Sequence, residues 1–167
     1  LKNEQIYKKY LLKILKWHED NRYKCSHYKD QRILHVLGES HSLACHQLCV
    51  KYLGIDFFCK SQLIKGCMQW HLGSHERNQY KSQFESILYY LPKSSDVLLT
   101  IGEIDCRLDS GIIKHSKKFP SEKKNSLIKT TVKNYLSYIS KSNIKYQHNI
   151  IIQGVPCPNI DTKKHLE

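Results

Sequence analysis

The sequence predicts an α/β fold: a three-layer α/β/α sandwich around a mainly parallel sheet of at least four strands. Three observations lead there. Short apolar runs alternate along the chain with stretches of helical spacing. Several of the runs end in glycine followed by polar residues, as strands do at the ligand-binding edge of an open sheet. The runs lie far enough apart for crossover connections between parallel strands.

The elements follow in order. Ile6, Tyr10, Leu11, Ile14, Leu15 and Trp17 predict an amphipathic helix over residues 3–18 with lysines on its other face. His18 to Asp30 is polar, so residues 1–30 read as an N-terminal helix and connector, and residues 31–167 as the α/β domain. R-I-L-H-V-L predicts the first strand over 32–37. Leu43, Ala44, Gln47, Leu48, Tyr52 and Leu53 predict a helix over 42–52, stopped by Gly54. Ile55 to Cys59 reads as a second strand. Ser61 to Arg77, with Gly66, Trp70, His71, Gly73 and His75, reads as a loop that carries function. Phe84, Ile87, Leu88 and Leu91 predict a helix over 80–91 that Pro92 ends. D-V-L-L-T-I predicts a strand over 96–101. Pro120-Ser121-Glu122 opens a helix that runs through Leu127, Ile128, Val132, Tyr135, Leu136 and Ile139. N-I-I-I-Q-G-V predicts the last strand over 149–155, ended by Pro156.

Composition excludes several classes. No apolar run reaches the length of a membrane span. Leu1 to Trp17 is charged and periodic, unlike a secretory signal, although a start at Leu1 is expected of a piece of a longer protein. The net charge is +12, almost all of it from lysine, with arginine only at 22, 32, 77 and 107. The lysines are scattered and no aromatic–basic interleaving occurs, which argues against nucleic acid. Joint richness in Lys, Ile, Asn and Tyr is what an A/T-rich gene would also produce. Seven cysteines without a C-x-x-C pair suit a reducing, cytoplasmic setting better than a disulfide framework. Cys49, Cys59, Cys67 and Cys106 read as small buried hydrophobes. Cys45, His46 and Cys49, and separately His71 and His75, lack the further ligands of a zinc site, so neither a metal nor another cofactor is expected.

In a parallel sheet three strand ends converge on one edge: Gly38-Glu39-Ser40-His41, Gly102-Glu103-Ile104-Asp105-Cys106-Arg107 and Gly154-Val155-Pro156. Ser40 sits at a strand-to-helix turn, where unpaired N–H groups can hold a developing anion, and is a candidate nucleophile. Ser40 or Ser42 could equally be a helix N-cap. His41 could contact substrate or be a first-turn helix residue, and His35 reads as packing. Glu103, Asp105 and Arg107 belong either to the site or to a salt-bridged turn that only shapes its loop.

These blocks carry a resemblance. G-E-S-H after the first strand resembles the G-D-S motif of the SGNH/GDSL hydrolase superfamily, and strand-G-E-I-D resembles that superfamily's G-x-N-D block. The G-E-I-D-C-R string is similar to a subgroup associated with glycan or polysaccharide modification. The match spans roughly Arg32 to Asn159. The resemblance implies ester hydrolysis or acyl transfer through Ser40, with an O-acylated sugar or polysaccharide as substrate. It places the oxyanion on the Ser40 N–H and the N–H of Gly73, Gly66 being the second choice. It makes Glu39, His41, His71, Glu103, Asp105 and Arg107 residues that touch substrate or shape the site. Two departures stand out. Ile104 occupies the asparagine position, and removing such a donor typically costs about 10²–10³ in rate. For the Asp-x-x-His acid–base block, Asp161 and His165 are the outside candidates in this chain, but they are one residue too far apart and come early, so the block is expected beyond Glu167. Two further readings stand beside the esterase or acyltransferase: a non-catalytic SGNH-like domain that binds glycan or serves as scaffold, and a basic nucleic-acid-binding module.

Overall fold

The computed structural model describes residues 2–21 and 31–155. Its elements are α1 (Lys2–Asn21), β1 (Arg32–Gly38), β2 (Cys49–Tyr52), β3 (Ile55–Leu63), α2 (Gln69–Gly73), α3 (Gln79–Tyr90), β4 (Asp96–Thr100), α4 (Gly111–Lys118), α5 (Lys124–Asn143) and β5 (Asn149–Ile152). The fold is α/β, as expected. Five strands are ordered β2-β3-β1-β4-β5. β1 pairs in parallel with β3 and β4, and β4 with β5, while β2 runs antiparallel to β3 at the edge.

β1 is the central strand, buried without interruption from Leu34 to Gly38 because apolar groups meet it on both faces. On one face Leu37, Val97, Leu99 and Ile101 pack with Phe84 and Leu88 of α3 and Tyr135 and Ile139 of α5. On the other, Leu34, Val36, Phe57 and Cys59 pack with Cys45, Val50, Leu98 and Ile151. A 3-10 segment, Ser40–Cys45, lies over that second face, and His18 of α1 ties it down by donating from Nε2 to the Leu43 carbonyl at 2.7 Å. At the amino end of the sheet, Asp96 accepts from Arg32 at 2.6 Å and from Asn149 at 2.9 Å, which locks β1, β4 and β5 together.

The helix expected over 42–52 is not formed. The chain makes the 3-10 segment, turns at Gln47 with φ 59°, and enters a β2–β3 hairpin. Tyr52 pairs with Ile55 across a two-residue turn whose residues, Leu53 and Gly54, both have positive φ (48° and 80°). That is the type I′ geometry that matches strand twist, so Gly54 closes a hairpin and does not end a helix. Cys45 and Cys49 accordingly share no helix face. β3 continues past Cys59 to Leu63, and α2 occupies part of the stretch read as a loop. α4 adds a helix the sequence spacing did not indicate, and α5 begins at Lys124, later than Pro120. Residues 18–21 extend α1, whereas the rest of the expected connector lies outside the described residues. Among the described residues none of Cys45, Cys49, Cys59, Cys67 and Cys106 is in a disulfide, and no helix is long and apolar enough to cross a membrane.

Candidate functional site

The parallel strands bring the expected ends to one edge. β1, the central strand, has its chain neighbour β3 on one side and β4 on the other, so connections leave in opposite directions at β1 and β4. This is the topological switch point, and the loops leaving β1 and β4 flank the crevice in which open α/β sheets bind ligands. The two strands approach closely there: a Cβ on Gly38 would lie 2.3 Å from the Thr100 carbonyl oxygen and 2.3 Å from its Oγ1.

Ser40 begins the 3-10 segment and is half-buried. Neither Ser40 nor Ser42 provides a side-chain cap, since the N-cap position falls on Glu39 and carries no side-chain bond. Ser42 is fully buried, and its hydroxyl has no partner among the described residues. The capping role that sequence allows for Ser40 is therefore not the one the fold uses.

Glu39 is 1% exposed. Its Oε1 accepts the Glu103 N–H at 3.1 Å, a bond that crosses the switch point, and lies 3.6 Å from His41 Nδ1. Its Oε2 is buried with no partner among the described residues. Burial raises the Glu39 carboxyl above the usual carboxylate range; the Glu103 charge adds to this, while His41, the Glu103 N–H and Arg107 pull it down. His41 is exposed. Glu39 and His41 line a cavity of about 80 Å³ with Thr100, Ile101 and Gln153. His41 and Thr100 also line a larger apolar groove of about 530 Å³ bounded by Leu34, Val50, Leu98 and Ile151.

The acidic turn after β4 divides its charges. Arg107 donates from Nε and Nη2 to Glu103, at 2.6 Å for the shortest bond, so these two residues form the salt-bridged turn that sequence offered as one alternative. Asp105 points the other way. It is 2% exposed and accepts the N–H groups of Gln69 (2.7 Å) and Trp70 (3.2 Å) at the start of α2. Burial raises its carboxyl, against the pull of those two bonds. Asp105 thus shapes the edge by anchoring α2. Gln69, which sequence reasoning did not single out, donates from Nε2 to the Ile101 carbonyl at 2.9 Å and bridges the two loops. A lone amide in the otherwise apolar C-M-Q-W was the only signal for it.

Gly73 faces α5: a Cβ there would lie 3.0 Å from the Tyr135 nitrogen and 3.1 Å from Asn134 Cβ. Its missing side chain is explained by helix packing. Gly66 stands in the loop after β3, on the same edge as Ser40, with φ +73°. His71 is committed locally. It stacks on Tyr80 at 3.9 Å between centroids and accepts the Met68 N–H on Nδ1 at 3.2 Å; burial lowers its pKa. Ile104 is half-buried, and Asp161 and His165 lie outside the described residues. Comparison with family models, curated proteins and solved structures finds no match to this chain.

An ionised, half-satisfied carboxylate in this position costs stability. The folded state holds the Glu39 proton more tightly than the unfolded chain does, so its contribution falls as pH rises from the ordinary glutamate range through the raised value. Glu39→Gln keeps the oxygen that accepts from Glu103 and removes the charge. In EDTA the variant should melt higher than wild type at pH 7–8, and the gap should close as pH falls and Glu39 protonates. A variant that melts lower than wild type at neutral pH would show that the carboxylate supports the fold.

Proposed function

We propose that this chain is an SGNH-like serine esterase or acyltransferase, with Ser40 as nucleophile and an O-acylated carbohydrate as substrate. The observation that carries the reading is the place of Ser40: beside the switch point, at the carboxyl end of the central strand, with no capping duty. The Ser40 hydroxyl attacks the acyl carbonyl, the ester's C–O bond breaks, and the sugar alcohol leaves with the proton that Ser40 gives up; water or a second sugar hydroxyl then takes the acyl group and returns a proton to Ser40. The Ser40 N–H and a backbone N–H from the Gly66 loop receive the oxyanion; Gly66 replaces Gly73, whose surroundings are those of α5. In the family pattern the base that takes the serine proton belongs to a later block, and this role is assigned to no described residue. The carbohydrate rests on the G-E-I-D-C-R resemblance alone.

A second reading, a non-catalytic SGNH-like domain, is favoured by one set of observations: Ile104 stands where the family has asparagine, and Asp105 and Arg107 are both spent on internal bonds. Fluorophosphonate labelling separates the two. An adduct mapped to Ser40 and absent from Ser40→Ala supports the catalytic reading. A folded protein that takes up no label favours the second.

A further inference from the structure

We infer that Glu39, His41 and Glu103 form a site for a divalent transition-metal ion of the manganese class, held across the switch point between the β1 and β4 loops. One donor atom from each of the three lies within 4.8 Å of the other two. The 3.6 Å between Glu39 Oε1 and His41 Nδ1 is too long for a hydrogen bond. It is close to the roughly 3.4 Å that separates two donors around a tetrahedral ion with bonds of about 2.1 Å. A second observation points the same way. Glu39 Oε2 is shut away from solvent and has no partner among the described residues, although it belongs to a carboxylate in a cleft. Buried polar atoms without partners are rare and call for a reason, an ion among them.

The surroundings fit a cation. The cavity that Glu39 and His41 line has a volume of about 80 Å³ and includes Thr100 and Gln153, which leaves room for water in the remaining coordination positions. Arg107 grips Glu103 through Nε and Nη2, orienting that carboxylate and cancelling one of the two negative charges. One net negative charge then remains on the two carboxylates. Two carboxylates with one imidazole suit manganese or zinc better than calcium or magnesium, which take oxygen ligands. These three side chains could hold a cation whether or not Ser40 is a nucleophile.

Manganese(II) is the probe, since the thiols of this chain would compete for zinc but bind manganese poorly. Titration of the protein with Mn²⁺ at neutral pH, followed by loss of the free-ion electron paramagnetic resonance signal, should show one ion bound per chain below millimolar concentration. Glu39→Gln and His41→Ala should each weaken binding at least tenfold, on the scale ligand-shell changes produce. His75→Ala, in the groove beside α5, should leave binding unchanged. Circular dichroism checks that each variant is folded; Glu39→Gln retains its bond to Glu103 and His41 is exposed, so both are expected to fold. No binding up to millimolar Mn²⁺, or equal binding by wild type, Glu39→Gln and His41→Ala, overturns the inference whether or not Ser40 reacts with esters.

Discussion

Gly38→Ala should cost about 3 kcal/mol of stability, the upper end of what overpacking a well-filled site does. The added methyl would lie 2.3 Å from both Thr100 oxygens and 2.8 Å from the Thr100 carbonyl carbon. Two of those three atoms are backbone, so no rotamer change at Thr100 relieves them. The β1–β4 pair must open at its carboxyl end, which is where Gly38 pairs with Thr100 and where the Ser40 turn begins. Thr100→Ala in the same chain removes only the hydroxyl clash and should recover a minor part of the loss. Urea midpoints at constant slope are the measurement. A Gly38→Ala protein within about 1 kcal/mol of wild type would mean that β1 and β4 do not approach as closely as described.

Asp105→Ala should be nearly as damaging, by about 2–3 kcal/mol, because it orphans the buried N–H of Gln69 and the part-buried N–H of Trp70 at the start of α2. Water cannot readily replace the carboxylate, since Asp105 is 2% exposed. Asp105→Asn should be milder: one amide oxygen can still accept, and the cost of burying a charge is gone. The ranking Ala below Asn below wild type in thermal melts is the expected result. If both variants melt with wild type, α2 is not anchored by this residue.

Sequence made the frame of this fold legible where patterns are long or unambiguous. β4 is a pure apolar β-type run, and α3 carries a four-residue apolar periodicity closed by Pro92; both stand close to where spacing puts them. The stretch from Ser40 to Tyr52 was misread for a physical reason. Leu48 and Tyr52, four apart, suit a helical stripe and one face of an extended strand alike, and the deciding turn, Leu53-Gly54, lacks the Asn-Gly or Asp-Gly signal that announces such turns. α4 is eight residues long, too short for its periodicity to stand out.

The site was half legible. Glycine-ended strands showed which loops meet. They could not show which acid of G-E-I-D-C-R turns inward. A short 3-10 turn, Ile104–Cys106, sends Asp105 to α2 and leaves Glu103 facing Arg107 and the Glu39 loop. Nor could sequence separate Gly66 from Gly73, because a glycine needed for packing on α5 looks the same as one that frees an N–H for an oxyanion. The expectation of no metal site rests on cysteine and histidine spacings along the chain. The cluster on the switch point joins Glu39 and His41, two residues apart, to the distant Glu103, and two of the three are carboxylates.

The most direct test of the central claim is turnover of p-nitrophenyl acetate by the full chain and by Ser40→Ala, each shown to be folded. The wild type should turn the ester over, and the rate should fall by at least about 10³ when Ser40 is replaced, the scale seen when a serine nucleophile is removed. Equal turnover by the two folded proteins, or none in either, would contradict it and leave the switch-point crevice as a binding site without acyl chemistry.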